Sequence, residues 1–223
     1  MSTIKPETLT FLKDLTQNNN REWFTENKKL YTESQENVIS FLDELIKEMA
    51  EFDEELGKID GKKSLFRIYR DTRFSKDKIP YKTNFGASLG MGKGSQKGGY
   101  YLHIEPGKSF LAGGVYMPES SVLKEVRKEI SLYGADFLKI INQKEFKKHF
   151  PELDQDDKLK KIPQGFEKED PMGDYLKLKS FIVVYHLKDE EVLDKNAVKS
   201  MTKIFKLMKP FNDFLNTPIS LNL

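Results

Sequence analysis

The sequence predicts an α+β fold in which a mostly antiparallel sheet is flanked by helices. Three observations support this prediction. In the first third of the chain, apolar residues recur at helical spacing. Ten of the 14 glycines lie between Gly61 and Gly114, among short runs rich in β-forming residues. No linker rich in Pro, Gly and Ser separates two halves, so the 223 residues are expected to form one domain.

The composition narrows the classes of protein. Hydrophobic residues make up 38% of the chain and charged residues 32%, which is typical of a folded globular protein. The chain has no cysteine, which excludes disulfides, thiolate zinc sites, iron–sulfur clusters and cysteine nucleophiles. No apolar run approaches the roughly 20 residues that cross a bilayer, and the N-terminus lacks the pattern of a secretory signal. These features predict a cytoplasmic protein with no membrane partner.

Residues 1–57 are predicted to be helical. Pro6 fits the first turn of a helix, and apolar residues follow it every three or four positions. Asn20 is a good N-cap for a second helix that begins directly after it. The apolar pattern then has a polar gap between Tyr31 and Val38, which leaves open whether this part is one long helix or two.

Residues 58–117 form a basic, glycine-rich region in which strands are predicted. The predicted strands are residues 65–70, 81–89, 100–105 and 109–116. Pro106 followed by Gly107 favours a turn between the last two strands. The stretch 91–99 is expected to be a loop, either an ordinary hairpin loop or a flexible lid.

Residues 118–223 are predicted to hold helices and one further strand. The first of these helices is broken at Gly134, and two shorter helices follow. Residues 178–187 are apolar nearly throughout, so this strand is expected to lie at the centre of the sheet. The last helix is predicted over about 196–215, with Pro210 kinking or ending it.

The near-neutral total charge of +2 conceals an asymmetry. Between Lys58 and Lys108 there are twelve basic and four acidic residues, a net charge of +8, so the remaining chain carries −6. Arginine offers a planar fork that matches phosphate and carboxylate groups, and lysine adds a mobile point charge. The sequence therefore predicts a site for a small anionic ligand in this region.

The candidate ligand-binding residues share a positive charge. They are Arg67, Arg70, Arg73, Lys78 and Lys82, together with Arg21 from the predicted second helix. The candidate catalytic residues share an ability to accept or donate a proton. They are Asp71, Tyr81 and His103. In a regular strand Arg67 and Arg70 point to opposite faces, so only a bend near Asp71 would bring them together.

Other chemistry has less support. None of the three histidines is spaced to share a metal ion, and no metal site is predicted. A magnesium site, in which Asp71, Glu105 or Glu22 holds the ion beside a bound phosphate, is left open as an alternative. The glycine-rich stretch 90–95 lacks the spacing of a phosphate-binding loop. The cofactor and the oligomeric state stay unknown at this stage.

The charged stretch resembles the signature of a bacterial family of conserved hypothetical proteins, domain of unknown function 2461 (DUF2461). That signature is R-x-x-R-D-x-R-F-x-x-x-K-x-P-Y-K, and its specified positions are matched by Arg67, Arg70, Asp71, Arg73, Phe74, Lys78, Pro80, Tyr81 and Lys82. The resemblance extends to residues 19–24, 98–101, 114–118 and 159–166. One departure is Asp170 before Pro171, where the resemblance implies a histidine. Because the family has no established activity, the resemblance implies a site and no reaction.

Three functions therefore remain open. The first, which the charge pattern favours, is binding or turnover of a small phosphorylated or carboxylated ligand at the Arg/Lys/Tyr cluster. The second is nucleic-acid binding, for which aromatic residues of the basic region could stack on bases: Tyr69, Phe74, Tyr81, Tyr100 or Tyr101. The third is a structural or interaction domain whose charges pair internally, in which case removing one charge should destabilise the fold.

Overall fold

A computed structural model describes residues 2–73, 76–90 and 96–221, without the side chain of Leu221. Its sheet has four antiparallel strands in the order β1-β2-β3-β4. The strands are β1 (Phe85–Leu89), β2 (Gly99–Ile104), β3 (Ser109–Val115) and β4 (Phe181–Leu187). The predicted α+β class with a mostly antiparallel sheet is confirmed. Residues 91–95 of the predicted loop, and Phe74 and Ser75 of the charged stretch, lie outside the described residues.

Helices flank this sheet. Within the described residues they are α1 (Pro6–Gln17), α2 (Arg21–Glu26), α3 (Lys28–Met49), α4 (Gly61–Ser64), α5 (Ser120–Leu132), α6 (Gly134–Ile141), α7 (Lys144–His149), α8 (Gly173–Leu176), α9 (Asp189–Leu193) and α10 (Ala197–Leu221). A short 3₁₀ helix covers Glu54–Lys58. In this part of the chain, no helix is both long enough and apolar enough to span a bilayer. The cytoplasmic location stays a prediction.

Contacts along the chain cluster into two units. The first takes the described residues within Met1–Gly92, Tyr101–Leu111 and His186–Lys203. The second takes those within Lys93–Tyr100, Ala112–Tyr185 and Ile204–Leu223. Every residue that the sequence singled out as a candidate ligand-binding or catalytic residue belongs to the first unit.

The helices of the first unit follow the apolar pattern of the sequence. Asn20 caps α2 as predicted, because its side-chain oxygen accepts a hydrogen bond from the backbone N–H of Trp23 at 2.9 Å. The polar gap between Tyr31 and Val38 lies inside the continuous helix α3. The break falls earlier, at Asn27, whose backbone N–H donates to the Trp23 carbonyl.

The prediction of a regular strand at 65–70 is wrong. Only isolated bridges form there, between Leu65 and Ala87 and between Tyr69 and Tyr81. The predicted strand at 81–89 shortens in the same way to β1. The two bridges are out of register, since the chain advances four positions from one bridge to the other on one side and six on the other. The two extra residues form a bulge that interrupts the ladder, and Pro80, which has no N–H to donate, ends the pairing.

Two predictions in the second unit are also corrected. Strand β4 lies at the end of the strand order rather than at its centre. Its buried and half-buried residues alternate at first, and the backbone N–H of Asp154 donates to the Ile182 carbonyl, so chain outside the sheet covers this strand. Helix α10 continues through Pro210 and Pro218 to Leu221, beyond the predicted end.

Candidate anion and proton-transfer sites

The charged stretch forms a two-stranded ribbon in the first unit. We define the ribbon as residues 65–73 and 76–87, in which 65–70 runs antiparallel to 80–87 and the described residues between these two segments carry the charges. Backbone hydrogen bonds join Phe66 N to the Gly86 carbonyl and Lys82 N to the Ile68 carbonyl, both at 2.8 Å. The ribbon therefore continues the pairing of β1 without forming a full ladder.

Tyr81 anchors the base of the ribbon. The side chain of Asn19 accepts from the backbone N–H of Tyr81 at 3.1 Å and donates to its carbonyl at 3.0 Å. The Tyr81 ring stacks on Phe24 with 3.9 Å between centroids and is only 5% exposed. Burial raises the pKa of the Tyr81 phenol, and the neighbouring Tyr69 adds to this. Its predicted catalytic role is not tested by this placement, which gives it a packing role.

An aromatic cluster surrounds that anchor. The ammonium of Lys28 lies 5.0 Å from the ring centroid of Phe24, 4.7 Å from that of Tyr31 and 5.9 Å from that of Tyr69. Arg21 is exposed at the start of α2 and acts on Tyr81, where its charge lowers the phenol pKa against the effect of burial. The structure therefore brings Arg21 to the base of the ribbon.

The outer part of the ribbon carries two ion pairs. Arg73 binds Asp71 through two hydrogen bonds, of 3.0 Å from Nε and 2.7 Å from Nη2. Arg70 Nη1 donates to Asp77 at 2.8 Å and, more weakly, to the Ile79 carbonyl at 3.3 Å. These hydrogen bonds lower the pKa of both carboxyl groups. Both aspartates are therefore ionised at neutral pH, in contact with arginine.

The remaining cations of the ribbon differ in their surroundings. Lys78 donates to the carbonyl of Thr72 at 2.9 Å. Arg67 is exposed and close enough to Asp71 to help lower the pKa of that carboxyl. Arg70 pairs with a different carboxylate, so the structure does not bring Arg67 and Arg70 onto one shared group. The bend at Asp71 is real, since its carboxylate accepts from the backbone N–H of Arg73.

His103 lies in a second cluster, on the half-buried face of β2. Side chains alternate along this strand, so that Tyr101 and His103 share the face that Glu105 continues. The Tyr101 hydroxyl is 3.1 Å from His103 Nδ1, and His103 Nε2 is 3.0 Å from Glu105 Oε2. We call Tyr101, His103 and Glu105 the relay.

Neighbouring residues hold the relay in place. The Asn84 amide lies 3.4 Å from His103 Nδ1, and Thr83 donates to Glu105 Oε1 at 3.1 Å. The ring of Phe110 on β3 stacks on His103 with 4.6 Å between centroids and 13° between planes. Side-chain exposure is 15% for His103 and 22% for Glu105, so solvent reaches the relay without surrounding it.

One predicted cation lies close to the relay. The Lys82 ammonium lies 5.3 Å from the Phe66 ring centroid, and that ring lies 6.2 Å from the Tyr101 ring. The predicted site therefore divides into two: Asp71, Arg73 and their neighbours on the outer ribbon, and His103 in the relay with Lys82 nearby.

Sequence reasoning missed the connection of Tyr101 and Glu105 to His103. The signal was present as three proton-carrying residues at positions i, i+2 and i+4 of a predicted strand. The sequence did not reveal the surroundings of these residues, because Asn84 and Thr83, which contact the relay, come from a different part of the chain.

Several residues of the resembling segments have structural roles. Asn19 and Asn20 hold the ribbon and cap α2, as described above. In the second unit, the Asn216 side chain accepts from Gly98 N at 2.7 Å and donates to its carbonyl at 3.0 Å. Gly114 has φ +124°, and a Cβ there would lie 2.0 Å from the Phe181 carbonyl oxygen, so no other residue fits.

The departure at Asp170 has a local explanation. Its carboxylate accepts from the Ser131 hydroxyl at 2.5 Å and from the backbone N–H of Met172 at 2.7 Å. Asp170 therefore stabilises the turn before α8. Elsewhere in the second unit a cavity of about 270 Å³ is lined by Lys147, Phe150, Lys158 and Tyr175, among others. No predicted site residue lines it.

The possible metal ligands do not form a cluster in the described residues. Across residues 2–73, 76–90 and 96–221, no three His, Asp or Glu side chains lie close enough together to hold a metal ion. In the described structure Asp71 binds Arg73 and Glu105 binds His103, which commits two of the three carboxylates considered for magnesium.

The comparison with protein families gives one match. A family model described as "Conserved hypothetical protein (DUF2461)" matches residues 7–214. No curated protein and no solved structure matches the chain.

Proposed function

We propose that this chain, which belongs to the DUF2461 family of conserved hypothetical proteins, binds a small phosphorylated or carboxylated anion at the ribbon. The observation that carries the proposal is an excess of exposed positive charge. Between Arg67 and Lys78 the sequence has five cations and two carboxylates, a net charge of +3. The cations are Arg67, Arg70, Arg73, Lys76 and Lys78.

Spare hydrogen-bond donors support an anion ligand. Arg70 uses only Nη1 in the contacts described above, which leaves Nη2 and Nε for a ligand. Arg67 makes no hydrogen bond or ion pair with any described residue. In this proposal Asp71 orients Arg73 through its two hydrogen bonds and does not act as a base, because its lowered pKa keeps it ionised and engaged.

The exposure of the ion pairs argues against a purely structural role. The side chains are 77% and 43% exposed in the Arg73–Asp71 pair, and 30% and 51% exposed in the Arg70–Asp77 pair. Solvent screens such pairs, so they stabilise a fold little. A network that holds the fold together would be expected in the interior instead.

A nucleic acid is the second candidate ligand. One observation favours it: the cations lie on an exposed ribbon rather than in a cavity, and the Tyr69 ring beside them is 46% exposed. A two-stranded ribbon fits the major groove of DNA, and an exposed tyrosine can stack on a base. The cytoplasmic location belongs to this proposal as well, on the sequence pattern alone.

The test is calorimetric titration of the protein with inorganic phosphate, a sugar phosphate, a dicarboxylate and a 20-nucleotide single strand and duplex. Four variants are compared with the wild type: Arg67→Gln, Arg67→Lys, Arg70→Ala and the matched control Lys47→Gln on α3. We expect one small anion to bind, and Arg67→Gln to weaken it roughly 10- to 100-fold, the range for a charge-assisted hydrogen bond. Arg67→Lys keeps the positive charge but loses the planar guanidinium group, so its affinity for the anion should lie between those of the wild type and Arg67→Gln.

The other outcomes contradict the proposal in different ways. Binding of the oligonucleotides alone, with an affinity that falls steeply from 50 to 200 mM salt, would establish the second candidate. Binding of a small anion that Arg67→Gln and Arg70→Ala leave unchanged would place the ligand away from the ribbon. No binding of any of these probes would exclude both candidates.

A further inference from the structure

We propose that the relay is a nucleophilic site, in which the phenol oxygen of Tyr101 attacks a small carbonyl or sulfonyl electrophile. His103 accepts the phenolic proton, and Glu105 holds His103 in the orientation that this requires. The proposal uses none of the ribbon cations, so it does not depend on the anion site proposed above.

The hydrogen-bond directions in the relay follow from the chemistry of its members. An ionised Glu105 carboxylate can only accept, so His103 Nε2 must carry the hydrogen that lies between them. In a neutral imidazole the other nitrogen then has the lone pair. His103 Nδ1 therefore accepts from the Tyr101 hydroxyl at 3.1 Å, which is the geometry of a general base and its nucleophile.

The fold keeps space for the Tyr101 hydroxyl. A Cβ at Gly86 would lie 2.4 Å from that oxygen and 3.1 Å from the ring carbon that bears it. Glycine at this position of β1 therefore lets the phenol lie across the strand and reach His103. On the other side of this hydrogen bond, the Phe110 ring stacks on the His103 ring. The rings of both Tyr101 and His103 are therefore confined.

The proposed step is balanced within the relay. The Tyr101 oxygen forms a bond to the carbonyl carbon or sulfonyl sulfur while its proton passes to His103 Nδ1. The bond to the leaving group breaks with its electron pair. The leaving group departs as an anion or takes the proton from His103, as in other enzymes with a histidine base. Glu105 contacts no reacting atom and is a positioning residue.

The experiment is labelling of the full chain with phenylmethanesulfonyl fluoride, followed by mass mapping of each tyrosine over time. Attack by Tyr101 forms an O–S bond, breaks the S–F bond and releases fluoride. Tyr116 is 70% exposed and belongs to the second unit, so it serves as the internal control. Although Tyr101 is half-buried, we expect it to be labelled at least about tenfold faster than Tyr116, since a positioned base typically accelerates a reaction 10²- to 10⁴-fold.

Variants separate the roles of the two partners. His103→Ala should reduce labelling of Tyr101 to the rate of Tyr116 or below, and free imidazole in the buffer should restore part of it without changing Tyr116. Glu105→Gln should give an intermediate rate. Rescue by imidazole distinguishes a proton acceptor from a residue that only supports the fold.

The proposal is overturned if wild-type Tyr101 reacts no faster than Tyr116. It is also overturned if His103→Ala folds, as judged by circular dichroism, and labels Tyr101 at the wild-type rate. If His103→Ala does not fold, Glu105→Gln decides the question, because an unchanged Tyr101 rate in that variant contradicts the positioning role. Anion binding at the ribbon is measured separately, so either proposal can fail alone.

Discussion

The outer ribbon and the relay belong to the same unit, and they organise their polar groups in opposite ways. On the ribbon, charges are numerous, exposed and paired with neighbours two to seven residues away. In the relay, fewer polar groups are half-buried, and Asn84 and Thr83 reach them from 19 and 22 residues away in the sequence. A local network of exposed charges can exist without much tertiary structure, whereas the relay needs the sheet.

This difference determines what each region contributes. Exposed ion pairs add little stability, so the fold depends little on them. Their side chains are therefore available to bind a ligand. Half-buried hydrogen bonds lie in a medium of lower dielectric, where they are stronger and where losing a partner is costly. We therefore expect substitutions in the relay to affect folding, and substitutions on the outer ribbon to affect binding.

The largest effect is expected for Gly86→Ala. The added Cβ would overlap the Tyr101 hydroxyl, so the tyrosine must leave His103 or the strand must shift, at about 3 kcal/mol, the upper part of the range for overpacking. Urea unfolding measures the loss. The double variant Gly86→Ala/Tyr101→Phe removes the overlapping oxygen and should recover part of it. A Gly86→Ala protein as stable as the wild type would show that the phenol has room to move.

A smaller effect is expected at the base of the ribbon for Asn19→Ala. The variant removes two hydrogen bonds to the backbone of Tyr81, worth about 1–2 kcal/mol together. Hydrogen exchange should accelerate at Tyr81 and Lys82. The neighbouring Asn20→Ala is the matched control, because it removes a helix cap worth about 1 kcal/mol and should leave exchange in the ribbon unchanged. Equal exchange in both variants would mean that Asn19 does not hold the ribbon.

The smallest effect is expected at the ribbon's ion pairs, through pH. Arg70 lowers the folded-state pKa of Asp77, so the pair stabilises the fold above the ordinary aspartate pKa. That contribution is lost as the pH falls through the lowered pKa of the folded state. Asp77→Asn should therefore reduce the thermal midpoint only slightly at pH 7 and not at all well below the range in which Asp77 becomes protonated.

Salt and a control variant sharpen this last prediction. The small difference at pH 7 should shrink further at 1 M salt, because the exposed pair is screened. Glu169→Gln, on an exposed carboxylate outside the helices that makes no ion pair among the described residues, should show no such pattern. A difference at pH 7 as large as that of Gly86→Ala would contradict the view that the outer ribbon is marginal for stability.

Local sequence signals were read correctly where the interaction itself is local. The cap at Asn20 and the start of α1 at Pro6 each depend on atoms within a few residues. The strand at 65–70 was wrong because pairing depends on a partner segment, and that segment has two extra residues between the bridges at Ala87 and Tyr81. The central place of β4 was wrong because an apolar run reports burial of a strand's faces, and faces can be buried at the end of a sheet as well as at its centre.

The sequence by itself determined the α+β class, the family membership and the concentration of positive charge at 67–82, because periodicity, motif and charge are properties of the chain as written. Tertiary structure alone decided which of those residues meet. It buried Tyr81 against Phe24 and joined His103 to Tyr101 and Glu105. Side-chain chemistry is set residue by residue, but whether two groups exchange a proton depends on register and burial, which arise only when distant segments pack together.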